Sequence, residues 1–178
     1  ARQGDCYSGE WTDWQMAAIP IKSLGRELVD NMADMAHFGP IHYSKVKSFK
    51  NTMDGHKFVQ YMVGGHQILT EGDGGLITSV ATYEGPAYMT TTMTGLMDGH
   101  PMTTHLLVSH IPVDMHNFVI NFGVMMKKDP NISEAGNKAM VEEYTEKNIE
   151  SFHQDVAIWN NKCIIENPQM CDGAGPTH

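Results

Sequence analysis

Between positions 56 and 127 the chain divides into five short runs rich in Thr, Val, Ile, Met and aromatic residues: 56–63, 76–84, 87–94, 103–113 and 118–127. Such side chains suit a pleated, half-buried surface. The breaks between them carry turn residues: Gly64-Gly65, the Gly-rich stretch 71–75, Glu84-Gly85-Pro86, Asp98-Gly99-His100-Pro101 and Asp114. Strands at this spacing, joined by turns, predict an antiparallel meander. Asp129-Pro130-Asn131 closes the last run. Ser133 then reads as a helix N-cap, and Glu134 stands in the first turn, where the helix dipole favours a carboxylate. The helix runs to about Cys163, with Ile149, Phe152, Val156, Trp159 and Cys163 spaced at three or four. Asn167-Pro168 ends that region.

Ahead of the meander, 11–22 reads as a strand with an edge-type proline in Ile19-Pro20-Ile21. Ser23 suits a helix start, although Gly25 weakens the first turn. Leu24, Leu28, Met32 and Met35 form a helical stripe, and Gly39-Pro40 should break that helix after about Phe38. The stretch 45–54 shows no clear period and reads as irregular. The plan is α+β: a helix-grip, START-like domain with a curved antiparallel sheet and a long C-terminal helix over a ligand cavity.

Composition narrows the function classes. At roughly 150 residues per domain, 178 residues make one domain. Hydrophobic residues at 41% against 19% charged exclude a disordered chain. No apolar run reaches the ~20 residues of a membrane span. Twelve basic against 21 acidic residues, net −9, argue against nucleic acid. The three cysteines, Cys6, Cys163 and Cys171, form no Cys-x-x-Cys, Cys-x-His or Cys-x-x-His pattern. Neither structural zinc nor a cysteine-held iron–sulfur cluster is encoded, and a reducing cytoplasm is the simplest setting. A Cys163–Cys171 bridge remains the alternative. The start at Ala1 and the abrupt Gly175-Pro176-Thr177-His178 end read as a piece of a longer chain.

Two constellations could carry chemistry. In Asn31-x-x-Asp34-x-x-His37-x-x-x-x-His42, the first three share one broad face of an ideal helix. His42 is out of phase, but the Gly39-Pro40 break lets the chain bring it back. The pair is half of an open metal site or two surface histidines on a polar face. In Phe152-His153-Gln154-Asp155-Val156-x-x-Trp159, helical geometry at about 100° per residue puts Asp155 roughly 60° from Phe152 and 40° from Trp159. A carboxylate inside an apolar stripe must be paired, neutral or metal-bound. Lys162, one turn beyond Trp159, is a possible partner. Two histidines with a distant aspartate have the composition of a 2-His-1-carboxylate triad, which holds Fe(II) with open positions; the same ligands suit zinc. His56, His66, His100, His105, His110 and His116 share no face and read as surface or sheet-bonded residues. Of 14 methionines, those at 89, 93, 97, 102, 125 and 126 fall in or near the sheet and could wall an apolar cavity.

These residues resemble a known family. The stretch 28–37, Ile41-His42-Tyr43, Phe49-Lys50-Asn51 with Gly55-His56, Gln154-Asp155 with Ile158-Trp159 and Lys162, Ile165-Glu166-Asn167-Pro168, and the opening Trp11-Thr12-Asp13-Trp14 are similar to the catalytic domain of Rieske non-haem iron oxygenases. The likeness is to the 3-ketosteroid 9α-hydroxylase branch and spans about 10–176. It implies that His37, His42 and Asp155 bind mononuclear Fe(II). Asp34 would be the carboxylate relaying electrons from the Rieske cluster of a neighbouring subunit, and Asn31 would support the site. Gln60, Met89, Phe152 and Trp159 would face the substrate. The implied reaction is hydroxylation of a steroid-like molecule with O2 and electrons from a reductase, in a homotrimer. The [2Fe–2S] Rieske domain would lie upstream of the 1–178 catalytic domain. Gly39-Pro40 stands where bulkier residues are usual, and 93–102 departs from the steroid enzymes. Two other readings compete: a non-catalytic sterol- or lipid-binding helix-grip module, and a zinc hydrolase.

Overall fold

The structure, a computed structural model, describes residues 8–70, 75–97 and 99–163. Its elements are β1 (Gln15–Ile21), α1 (Glu27–Ala33), α2 (Phe38–His42), β2 (Val46–Asp54), β3 (Lys57–Gly64), β4 (Ile77–Glu84), β5 (Tyr88–Met97), β6 (His100–Pro112), β7 (Phe118–Met126) and α3 (Glu134–Trp159). All seven strands form one antiparallel sheet in the order β1-β7-β6-β5-β4-β3-β2. The meander holds from β2 to β7; most of its links are short turns that favour pairing with the preceding strand, while β3 and β4 pair across the longer 65–76 link. Only β1 departs from chain order, closing the far edge against β7, and Pro20 lies exposed on that edge strand.

Alternation aims one face of the sheet inward. Phe58, Gln60, Met62, Ile77, Ala81, Tyr83, Met89, Leu106, Val108, Phe122 and Val124 are all buried. Leu28 and Met32 of α1, and Val141, Tyr144, Val156 and Trp159 of α3, complete that core. Ser133 caps α3 as expected, its Oγ accepting the Gly136 N–H at 3.1 Å. The buried side of α3 is half polar. Thr145 and Asn148 are accommodated by donating to the carbonyls of Val141 and Tyr144, at 2.7 Å each. The far end of α3 is tied to the start of α1: Lys162 Nζ pairs with the buried Glu27, and the Lys22 N–H donates to Asn160 Oδ1 at 2.8 Å.

Several sequence expectations are corrected. The stretch 45–54 is not irregular but holds strand β2. This edge strand is mostly exposed, carries Lys47 and Lys50 and has a register shift between Val46 and Ser48, so no buried face imposes alternation. Ser23 does not cap a helix: α1 begins at Glu27, with Arg26 in the cap position. The last helix stops at Trp159 rather than Cys163. Cys163 is exposed, while Cys6, Cys171, most of the 71–75 turn and the 165–168 motif lie outside the described residues. Among the described residues no helix is long and apolar enough to cross a membrane.

Candidate metal centre

The two-histidine segment is shaped by a break that falls earlier than Gly39-Pro40. At Asp34 the backbone turns extended (φ −84°, ψ 110°), and its Oδ1 accepts the Ala36 N–H at 2.7 Å. A short aspartate side chain thus takes over a backbone donor, which ends α1. Gly39-Pro40 does not break a helix; it lies within the five residues of α2, where Pro40 has no partner bond to lose in the first turn. Asn31, Asp34 and His37 therefore do not share one helical face. Asn31 and His37 meet across the break instead.

The ring nitrogens are sorted by their partners. His37 Nδ1 lies 2.7 Å from the Asp34 carbonyl, which can only accept, so Nδ1 carries the hydrogen and Nε2 is left with its lone pair. His42 Nδ1 likewise donates to Gln154 Oε1 at 2.8 Å. Its Nε2 is 3.4 Å from Asp155 Oδ2. The His37 and His42 rings meet edge-on, centroids 5.3 Å apart. Ligand-capable atoms of His37, His42 and Asp155 all lie within 4.8 Å of one another. Asn31 Nδ2 donates to Asp155 Oδ1 at 3.1 Å and stands 3.4 Å from His37 Nε2.

Asp155 is 8% exposed, a costly place for a carboxylate without a cation. Lys162 does not relieve it, being engaged with Glu27. Burial pushes the His37 imidazole below its usual range, against the pull of Asp155. Burial also presses His42 down, but the hydrogen bond and charge of Asp155, with Gln154, carry it above its usual value. Two imidazoles with nitrogens turned inward, facing one buried carboxylate, fit a divalent transition metal with positions left open. Bonding the remote nitrogen of each ring to an acceptor is how protein ligands are oriented for a metal.

Of the other proposed residues, Gln60, Met89 and Trp159 are buried and Phe152 packs partly buried against the core. Buried Gln60 donates from Nε2 to the Met32 carbonyl, joining β3 to the end of α1. Met89 is buried opposite Tyr83 and Val108. The Phe152 ring lies 5.2 Å from Phe122 and 6.5 Å from Trp159, which itself lies 6.4 Å from Phe118. Asp34 stays partly exposed, its Oδ2 3.7 Å from His37 Nδ1. Sequence reasoning missed the role of Gln154, whose only signal was its place beside Asp155. It also misjudged His66, which is only 7% exposed and lies off the sheet; His110, equally buried, is the sheet-bonded residue expected, on β6 beside the Tyr83 hydroxyl. Burial, then the neighbouring His42, push His66 down to about 4.

All of residues 1–178 match the family described as 3-Ketosteroid 9alpha-hydroxylase C-terminal domain. A Rhodococcus rhodochrous 3-ketosteroid-9-alpha-monooxygenase oxygenase component is 39% identical over 176 residues, covering 95% of this chain and 45% of that protein. The oxygenase component of Mycobacterium tuberculosis (strain ATCC 25618 / H37Rv) is 33% identical over 180 residues, covering 98% and 47%. The chain thus spans about half the length of the curated relatives it matches. Among solved structures, dicamba monooxygenase bound to 3,6 dichlorosalicylic acid superposes with a TM-score of 0.69 at 11% identity, over 90% of this chain and 54% of the other. The quaternary ammonium Rieske monooxygenase CntA gives 0.56 at 14%, over 85% and 38%. At such identities the likeness is one of fold.

Proposed function

Since the chain belongs to the 3-ketosteroid 9alpha-hydroxylase C-terminal domain family, we propose that it is the catalytic part of a Rieske-type monooxygenase acting on a steroid or steroid-like substrate. The observation that carries the reading is the convergence of His37, His42 and Asp155 within 4.8 Å. Bound by these three residues, Fe(II) would supply the activation of O2 needed to hydroxylate an unactivated C–H bond.

The protein's own groups set up that chemistry. His37 and His42 present their Nε2 atoms because the Asp34 carbonyl and Gln154 hold their Nδ1 hydrogens. Asn31 occupies one oxygen of Asp155 and leaves the other toward His42. Asp34 is in contact with His37 yet partly exposed, which suits a carboxylate between this site and a neighbouring subunit's cluster. Gln60, Met89, Phe152 and Trp159 would hold the ring system between sheet and α3, in the manner of a helix-grip domain. An apolar, closed interior fixes which carbon faces the metal and keeps water out. The reading brings with it an upstream [2Fe–2S] domain, a reductase, a homotrimer and a cytoplasmic setting. A purely sterol-binding module would have no use for a carboxylate buried against two imidazoles.

Anaerobic loading with Fe(II), followed by metal analysis, tests the assignment. The protein should retain one iron per chain, and His42→Ala and Asp155→Ala should each lose it. Unchanged iron in both variants would overturn it. Oxygen uptake by the complete enzyme with its reductase, on addition of a 3-ketosteroid, tests the substrate class.

A further inference from the structure

His66 lies on the segment after β3, and that segment is bound to the turn that follows α2. The Gly65 N–H donates to the Lys45 carbonyl at 3.2 Å, the Gln67 N–H to the His42 carbonyl at 3.3 Å, and the Ser44 hydroxyl to the Gly65 carbonyl. Thr70 closes the loop, accepting the His66 N–H at 2.9 Å and returning its hydroxyl to the His66 carbonyl at 2.7 Å. The His66 ring is thereby stacked on His42, centroids 5.0 Å apart and planes 29° from parallel.

Its two nitrogens are both committed. Nδ1 receives the N–H groups of Ile68 and Leu69 at 3.1 and 3.3 Å, so it is the acceptor nitrogen. Nε2 therefore carries the hydrogen and donates to Ser151 Oγ at 3.0 Å. The ring is neutral, its plane is fixed from both edges, and neither nitrogen is free for a cation.

Ser151 stands one helical turn before Asp155 on α3. That helix thus reaches His42 by three routes: Asp155 toward Nε2, Gln154 at Nδ1, and Ser151 through the ring of His66. Asp155 and Gln154 act on the edge of the His42 ring, through its two nitrogens, whereas the stacked and anchored His66 ring supports its face. We propose that His66 is a positioning residue for the metal centre, holding the ring plane of His42 through its bond to Ser151. The proposal rests on the reading of His37, His42 and Asp155 as ligands.

The test uses the complete enzyme, loaded anaerobically with Fe(II), in the variants Ser151→Ala and His66→Ala. Affinity is read by chelator competition, and ligand geometry by the electron paramagnetic resonance of the nitric oxide adduct. Each variant should weaken iron binding about tenfold, as loss of a group supporting a metal ligand typically does, and should shift the nitrosyl signal. A serine that served stability alone would lower the melting temperature and leave that signal in place. Should His66→Ala fail to fold, Ser151→Ala, which removes one hydroxyl, carries the test. Wild-type affinity and an unshifted signal in folded Ser151→Ala overturn the proposal. Wild-type affinity in His42→Ala and Asp155→Ala would instead mark failure of the ligand assignment, and this proposal would fall with it.

Discussion

Among the described residues histidines are buried in two places, and they are chemically unlike. Around α2, His37 and His42 offer Nε2 atoms on the side of Asp155, with His66 stacked behind. Between β4 and β6, His110 Nε2 lies 2.9 Å from the Tyr83 hydroxyl, which donates its own hydrogen to the Pro86 carbonyl at 2.6 Å. The His110 ring must therefore donate, which leaves Nδ1 as a bare acceptor. That atom is buried without a hydrogen-bond partner, and a Cβ on Gly25 would come within 3.0 Å of it. Burial lowers His110 and raises Tyr83 from their usual values. Burial of an imidazole, common to both places, is thus no sign of a metal site. A carboxylate facing nitrogens whose opposite edges are already bonded is the sign, and only the first cluster has it.

The largest expected difference between the clusters is in metal retention. His42→Ala should weaken Fe(II) binding by at least about a hundredfold, more than loss of a supporting residue typically costs. His110→Ala should leave it unchanged. Chelator competition on both variants checks this, and equal effects would erase the distinction. A smaller effect is expected at the second cluster alone. Gly25→Val drives a branched side chain against His110 and should cost about 1–3 kcal/mol in urea unfolding, the usual range for overpacking. Adding His110→Ala should recover part of that loss, since contacting residues are not additive, and iron content should not move. Strict additivity would mean the contact is not made.

The smallest effect is in the pH dependence of stability. The folded pKa of His110 lies below the unfolded value of about 6.5. The unfolded chain therefore takes up a proton first as pH falls, so this contribution is full above pH ~6.5 and is lost below it. His110→Phe should lose stability less steeply than the wild type between pH 7 and 5 in denaturant titrations. Parallel curves would show that His110 is not held neutral by the fold.

Much of this was legible in the residues, for local reasons. Turn residues and side chains suited to pleats marked the strands, and Ser133 with a three-to-four spacing marked α3. Asp155 stood out as a carboxylate in an apolar stripe, and the motif around His37 and His42 carried the family likeness. The edge strand β2 was not legible, because a strand without a buried face has no alternation to read. Nor was the break at Asp34, because Asp34-Met35-Ala36 offers a weaker signal than Gly39-Pro40.

The sequence by itself determined the strand-and-turn order from β3 to β7, the terminal helix and the kinds of residue able to bind a metal, since period, caps and chemistry are local properties. Only the tertiary structure decided which nitrogen each histidine presents, that Lys162 answers Glu27 rather than Asp155, and that His66 backs His42. Several of those choices rest on bonds between residues more than 80 positions apart, such as Gln154 with His42 and Ser151 with His66. Such pairs leave no periodic trace in the chain, because they come into contact only after the sheet and α3 have packed.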